Sequence, residues 1–225
     1  REFTRNDDRN PLLSLTYDHR REYITRHFNT IYGEYEFIPN LKLKSTLSYD
    51  YTVNKGDYWL DPRTSNGDDV NGELIKNIYE RSKLVWANQL SYLATIAENH
   101  HLDVLAGYEI DDQYRDYVSG NRMNFATFNK PSLSNGATLG DAGGSSTRTR
   151  MISYLSRINY DYMNKYYFGG SFRTDGSSRF ASGNRWGKFW SVSGAWRMTE
   201  ETFMKPLSGW LSELKLRASY GVNGT

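Results

Sequence analysis

The sequence contains no cysteine among its 225 residues. This excludes a disulfide framework and suits a protein that crosses an oxidising periplasm without disulfides, although cytosolic proteins also lack cysteine. No stretch reaches the roughly 18 uncharged apolar residues that a membrane helix needs, which excludes helical membrane spans. The excess of positive charge is small, with 28 basic against 26 acidic residues and a net charge of +2. No Lys or Arg run tracks phosphates, so we expect no nucleic-acid partner.

Aromatic residues are abundant, at 15% of the chain, and include 18 Tyr and 6 Trp. Tyr and Trp favour sites that are apolar at one end and wet at the other. The mean hydropathy is −0.74. This low value is compatible with a membrane β-barrel, because only alternate residues of a barrel strand need to be apolar.

Alternation of apolar and polar residues recurs along most of the chain. It is clearest over residues 41–53, where Leu43, Leu47 and Tyr49 share one face of the predicted strand while Lys44 and Ser48 share the other. Thirteen residues exceed the roughly 9–11 that a tilted barrel strand needs to cross a bilayer. The pattern predicts about eight strands, near residues 20–37, 41–53, 84–96, 102–110, 152–162, 166–172, 190–196 and 214–220.

The connections between these strands alternate in length. Short links at 38–40, 98–100 and 163–164 take turns with long ones at about 54–77, 118–148 and 175–187. Outer-membrane barrels have this asymmetry, with short periplasmic turns and long extracellular loops. The link at 198–212 is longer than the rule requires, and residues 199–204 predict a short helix at the periplasmic rim. We therefore predict an all-β fold, an antiparallel transmembrane β-barrel segment.

The last third of the chain contains a series of aromatic and glycine-rich motifs. They are 159–162 (NYDY), 165–167 (KYY), 173–180 (RTDGSSRF), 185–189 (RWGKF), 195–197 (AWR), 201–205 (ETFMK), 214–221 (LKLRASYG) and 223–224 (NG). Together these motifs, which span about 65 residues, resemble the barrel of SusC/RagA-family TonB-dependent outer-membrane transporters and occur in the order expected for that family. One departure is Trp190, where the family often has proline.

The resemblance implies about eight strands of a larger, 22-stranded barrel in the cell outer membrane. It also implies active import of glycan fragments or peptides, a SusD-like surface lipoprotein as lid, and a TonB complex that acts through an N-terminal plug and TonB box. The chain starts at Arg1 without methionine, so we expect residues 1–225 to be part of the barrel domain of a longer protein, with plug and TonB box outside them.

Three residues of the first long loop are candidates for substrate contact. Tyr58 and Trp59 supply aromatic faces, and Asp61 supplies a carboxylate beside them. Aromatic faces next to carboxylates suit sugar rings, whereas packing within the loop or an aromatic girdle explains the same residues equally well. Substrate binding by these three residues is therefore a prediction with a structural alternative.

The motif at 175–180 invites a chemical interpretation that we do not favour. It lacks the Lys and the following helix of a phosphate-binding P-loop, and it has no nucleophile elbow. We interpret it as a strand-end turn in which Gly176 adopts unusual backbone angles and Arg179 pairs with a neighbouring loop. The residues of this structural motif are Asp175, Gly176, Ser177, Ser178, Arg179 and Phe180.

We predict no metal site, no cofactor and no enzymatic activity. The adjacent His100 and His101 diverge in a short turn, and with His19 and His27 they do not supply three converging ligands. The loop acids could chelate calcium, but the EF-hand spacing is absent and a solvated loop is favoured. Those acids are Asp57, Asp61, Asp68, Asp69 and Glu73.

Two alternative functions stay open on the sequence. The first is a passive porin or an autonomous small β-barrel, which would need no plug. The second is a soluble glycan-binding β module, in which half of the aromatic residues would be buried between two sheets.

Overall fold

The computed structural model describes residues 11–207 and 209–223. Gly224, the last residue of the predicted family motifs, lies outside these ranges. A short helix, α1 (Pro11–Tyr17), precedes eight strands. The strands are β1 (His19–Ile38), β2 (Leu41–Leu60), β3 (Glu73–Ile96), β4 (His100–Phe125), β5 (Gly136–Tyr162), β6 (Tyr166–Ser177), β7 (Trp186–Arg197) and β8 (Lys215–Val222).

The eight strands form one sheet in chain order, from β1 to β8. Strands β5 to β8 pair antiparallel, with Tyr162 opposite Tyr166, Tyr166 opposite Trp196 and Trp196 opposite Leu216. Because each strand pairs with its chain neighbours, β1 and β8 are the edge strands. The prediction of about eight antiparallel strands is confirmed.

The strands flanking the long connections extend further than we predicted. β4 and β5 are 26 and 27 residues long, and the connection between them covers 126–135 rather than 118–148. The alternation ends where one face no longer needs to be apolar, although the backbone ladder continues beyond that point. The glycines and serines at 143–146, which lie within the predicted connection 118–148, belong to β5.

The short connections are tight turns, as predicted. Ala97 and Glu98, and likewise Met163 and Asn164, have positive φ angles of 49° to 61°. Each of these links is three residues long, 97–99 and 163–165, and positive φ at its first two residues suits the right-handed twist of the paired strands.

The link between β7 and β8 contains two 3-10 turns, Met198–Glu200 and Thr202–Leu207. The predicted short helix is therefore wrong in type, and Pro206 lies inside the second turn instead of beyond it. Among the described residues, no helix is both long and apolar enough to cross a membrane.

Two compact units can be distinguished by their internal contacts. Among the described residues, the first contains 11–28, 50–82 and 114–148, and the second contains 29–49, 83–113, 149–207 and 209–223. The first unit has a small buried core of Trp59, Leu74 and Phe125, against which Phe128 and Leu133 pack. The second unit includes the ladder of β6 to β8 and the β7–β8 connection, where Met204 is buried.

Candidate functional site

One face of the β5–β8 ladder in the second unit is apolar and exposed. Successive cross-strand neighbours on this face form rows, and Phe168, Val192 and Tyr220 are 52%, 43% and 69% exposed. Residues 152–162 of β5 cover 11 positions, which is the length of a tilted membrane-spanning strand. The rows are Tyr162/Tyr166/Trp196/Leu216, Tyr160/Phe168/Gly194/Ala218, Ile158/Gly170/Val192/Tyr220 and Ser156/Phe172/Trp190/Val222.

The opposite face of the same ladder is polar. Its rows are Asp161/Tyr167/Ala195/Arg217, Asn159/Gly169/Ser193/Ser219 and Arg157/Ser171/Ser191/Gly221. Asp103 accepts hydrogen bonds from Arg157 at 3.5 Å and Asn159 at 3.3 Å. A concavity of about 880 Å³ in this unit is lined by Asp103, Asn159, Asp161, Lys215 and Arg217, among others.

The first unit carries a similar ionic cluster. Asp50 of β2 accepts hydrogen bonds from Arg26 of β1 at 2.8 and 3.0 Å and from Arg81 of β3 at 2.9 Å. Asp50 is only 9% exposed. Two guanidinium groups therefore compensate one nearly buried carboxylate.

This two-faced sheet decides against a soluble sandwich. Among the described residues only Trp59, Leu74, Phe125 and Met204 form the buried apolar core, while many large apolar side chains are exposed. A soluble monomer rarely exposes an extended apolar patch, since burying such surface drives folding. A strand that faces lipid on one side and a polar lumen on the other has this pattern.

The loop cluster of the first unit is built around Trp59, near the end of β2. Its ring contacts Phe125 edge to face, with centroids 4.9 Å apart and planes at 89°. Trp59 is 2% exposed, and Leu74 and Phe125 are fully buried. Gly72 (φ +86°) passes close to this ring, and a Cβ on it would lie 2.8 Å from the Trp59 side chain.

Asp61 joins the indole to the following loop. Its carboxylate accepts hydrogen bonds from Trp59 Nε1 at 3.2 Å, from the Arg63 backbone N–H at 3.0 Å and from the Arg63 guanidinium at 2.7 and 2.8 Å. Hydrogen bonds from Arg63 lower the pKa of Asp61 below the usual aspartate value, although burial opposes the shift. The Arg63 guanidinium in turn lies 3.6 Å from the ring centroid of Tyr17 in α1.

Asp18 ties the segment after α1 to the same loop. One of its oxygens accepts from the Asp61 backbone N–H at 2.8 Å and from Thr64 Oγ1 at 2.9 Å, and the other accepts from Asn66 Nδ2 at 2.8 Å. The β2–β3 loop is therefore a hydrogen-bonded structure rather than the solvated coil that its composition predicts.

The three predicted substrate residues lie side by side but do not present one open surface. Tyr58 is half-buried, donates its hydroxyl to Glu22 at 2.8 Å and lies 4.7 Å from the Arg20 guanidinium. Trp59 and Asp61 are 2% and 1% exposed and contact their own loop. Their role in substrate binding stays a prediction.

The motif at 175–180 includes the end of β6 and the turn after it. Gly176 does not adopt positive φ, so the predicted reason for this glycine is wrong. A Cβ at this position would lie 2.9 Å from ring atoms of Trp186, its cross-strand neighbour, so close approach accounts for the glycine. Arg179 forms no ion pair within the described part of the chain. Ser178 Oγ accepts the Arg150 backbone N–H at 2.8 Å.

The adjacent histidines and the loop acid Asp57 have polar partners of their own. His100 Nδ1 lies 2.6 Å from Tyr160 Oη, and His101 Nδ1 lies 3.2 Å from Thr95 Oγ1. Asp57 accepts from Lys76 at 2.9 Å. Within residues 11–207 and 209–223, no group of three or more His, Asp or Glu side chains converges as a metal site would require.

Sequence reasoning missed the partners that complete the loop cluster. Leu74 and Phe125 lie 15 and 66 positions after Trp59, so no local period connects them. The Asp61–Arg63 pair could have been predicted from the sequence. An aspartate in a turn often accepts a hydrogen bond from the backbone two positions later, and here an arginine of opposite charge occupies that position.

Similar proteins are found along nearly the whole chain, although no protein-family model matches it. The TonB-dependent receptor P39 of Formosa agariphila is 33% identical over 96% of this chain and 21% of its own length. The TonB-dependent receptor SusC of Bacteroides thetaiotaomicron is 29% identical over 97% of this chain and 21% of its own length. The chain thus spans about a fifth of the length of these relatives.

Solved structures give the same result. The RagAB peptide transporter matches with a TM-score of 0.85 at 26% identity, over 94% of this chain and 24% of that one. RagAB described as a peptide importer in the open-open state matches with a TM-score of 0.84. These similarities confirm the resemblance to the SusC/RagA family. The relatives are named receptors and transporters rather than enzymes, in agreement with the prediction of no enzymatic activity.

Proposed function

Because this chain is homologous to a segment of SusC/RagA-type TonB-dependent receptors, we propose that it forms part of the barrel wall of an active outer-membrane importer. The observation that carries the proposal is the two-faced ladder of β5 to β8. Its apolar rows suit lipid and its polar rows suit a water-filled lumen. The open edges at β1 and β8 pair with further strands of the longer protein, because lipid cannot satisfy unpaired backbone groups.

The remaining parts of the transport cycle belong to the longer protein. We propose that residues 1–225 are part of its barrel domain, and that a plug inside the barrel and a TonB box lie outside them. The TonB complex supplies energy through that box. A SusD-like lipoprotein covers the extracellular opening, and the imported nutrient is a glycan fragment or a peptide.

The loop cluster of the first unit takes the extracellular side in this arrangement. We propose that Trp59 and Asp61 hold the β2–β3 loop in shape and that Tyr58, the least buried of the three, contacts the nutrient. Uptake should fall in Tyr58→Ala and recover in Tyr58→Phe, which keeps the ring. Unchanged uptake in Tyr58→Ala and in Trp59→Ala would remove the substrate role.

The decisive experiment measures energy dependence. The full-length protein in its native outer membrane is assayed for uptake of labelled oligosaccharides and peptides, with and without TonB and with a protonophore. Active import predicts loss of uptake in both treatments. Uptake that persists in both would instead identify the passive porin alternative.

A further inference from the structure

The connection between β7 and β8 exposes large apolar side chains. Phe203 and Trp210 are 60% and 75% exposed, whereas the neighbouring Met204 is only 9% exposed. The 3-10 turn Thr202–Leu207 therefore directs one apolar side chain inward and another outward. Exposing the Phe203 ring to water is unfavourable, because apolar side chains gain free energy when they leave water.

Glu201 fixes the connection to the apolar face of the ladder. Its carboxylate accepts hydrogen bonds from Tyr166 Oη at 2.5 Å and from Trp196 Nε1 at 3.2 Å. Lys165 Nζ lies 3.5 Å from the same carboxylate. Tyr166 and Trp196 are cross-strand neighbours in the apolar row closest to the β5–β6 turn. Glu201 thus accepts hydrogen bonds from the polar groups of Tyr166 and Trp196, whose rings lie on the apolar face of the ladder.

Phe203 extends that row beyond the sheet. Its ring meets Trp196 at a centroid distance of 6.3 Å and an interplanar angle of 64°. Tyr162, Tyr166 and Trp196 stack in sequence at 6.3 and 6.5 Å. The aromatic surface is therefore continuous from β5 to the β7–β8 connection.

We propose that residues 198–207 and 209–214 belong to a lipid-binding element, in which Phe203 and Trp210 enter the headgroup boundary of the leaflet at the short-turn end of the sheet. The occupant is phospholipid, because Phe203 continues the apolar row through Trp196, and Trp210 is an exposed indole of the kind that concentrates at this boundary. Glu201 is the positioning residue that orients Phe203 toward it. The inference rests on the proposed function, which puts the apolar rows of β5–β8 in lipid.

The test uses single cysteines in the full-length protein, reconstituted in phosphatidylcholine and phosphatidylglycerol vesicles. Bimane is attached at Phe203→Cys, and its quenching by brominated phospholipid and by aqueous iodide is measured. Val192→Cys on the apolar face is the lipid reference, and Ser212→Cys, an exposed polar position of the same connection, is the water reference. Trp210→Cys is a second reporter that leaves Phe203 in place.

We expect brominated lipid to quench positions 192, 203 and 210, and iodide to quench position 212. Quenching at 192 with iodide access at 203 and 210 would overturn this inference and leave the proposed function intact. Shielding of position 203 from both quenchers would overturn it as well, in favour of a protein partner. Iodide access at 192 would contradict the proposed function itself.

The role of Glu201 is tested on the Trp210→Cys and Phe203→Cys backgrounds. Glu201→Ala removes the acceptor for both rings, so lipid quenching at 203 should fall severalfold, and Glu201→Gln, which keeps an acceptor oxygen, should restore part of it. Equal quenching in all three forms would refute the positioning role.

Discussion

Replacing Trp59 by alanine tests whether this side chain is the core of the loop cluster. The indole is 2% exposed and meets Phe125 at 4.9 Å. Truncating a buried Trp typically costs about 3–5 kcal/mol, since the cavity collapses only partly. Collapse is limited here because backbone hydrogen bonds from Asn124 and Phe125 to residues 70–72, at 3.0–3.2 Å, hold the surrounding chain.

The assay is hydrogen exchange of the full-length protein in lipid nanodiscs. The amides of Gly67 and Asp68 donate to the Thr64 carbonyl at 3.2 and 3.0 Å, and the amide of Gly72 donates to the Gly67 carbonyl at 2.8 Å. When exchange follows local opening, every 1.4 kcal/mol is about tenfold. We therefore expect these amides to exchange about a hundredfold faster, or more, in Trp59→Ala.

Two variants sharpen this prediction. Trp59→Phe keeps the ring contact but loses the 3.2 Å hydrogen bond to Asp61, so it should cost about 1 kcal/mol and accelerate exchange about fivefold. Trp210→Ala removes an indole that is 75% exposed and should leave residues 64–72 unchanged. Equal exchange in Trp59→Ala and the unchanged protein would refute the assignment of Trp59 to a core.

Three further predictions concern the membrane face, the acid response and a glycine. Val192→Arg on the apolar face should destabilise the vesicle-embedded barrel by about 2–4 kcal/mol, and Ser193→Arg on the polar face by less. The lowered pKa of Asp61 stabilises the loop above the ordinary aspartate pKa, so exchange protection should persist at neutral pH and fall as the pH drops below about 4. Gly72→Ala combines positive φ with a 2.8 Å approach to Trp59 and should cost about 1–3 kcal/mol.

Each of these predictions has a control. Denaturant titration compares the two arginine variants, and equal costs would contradict the facial assignment. Arg63→Met removes the main cause of the lowered Asp61 pKa, so protection at neutral pH should fall and its acid-dependent part should shrink; an unchanged acid-dependent loss would argue against that cause. Gly143→Ala meets nothing within 4 Å, so its denaturation midpoint should stay unchanged while that of Gly72→Ala falls.

The fold class, the eight strands and the alternation of apolar and polar faces could all be predicted from the sequence. The predicted run at 41–53 lies within β2, and the turn at Met163 and Asn164 is where the sequence predicted it. Alternation with period two is a local property, so a few residues suffice to assign a strand and its faces. The motifs added the resemblance to the SusC/RagA family, which the similarities to TonB-dependent receptors confirm.

The candidate site was harder to predict from the sequence, because its residues contact partners that lie far away along the chain. The sequence presented Trp59 and Asp61 as loop residues available to substrate, whereas the structure buries both against Phe125 and Arg63. Strand ends were equally hard to predict, since the backbone ladder continues past the alternating residues without an apolar face to mark it.

The sequence by itself determined which side chains alternate and therefore which surface of the sheet is apolar. Only the tertiary structure decided what those side chains meet: Trp186 close to Gly176, and Glu201 bonded to Tyr166 across 35 positions of the chain. The physical reason is that the face on which a side chain lies follows from the two-residue repeat of its own strand. Which residues that side chain touches depends on the register between strands and on the loops that join them.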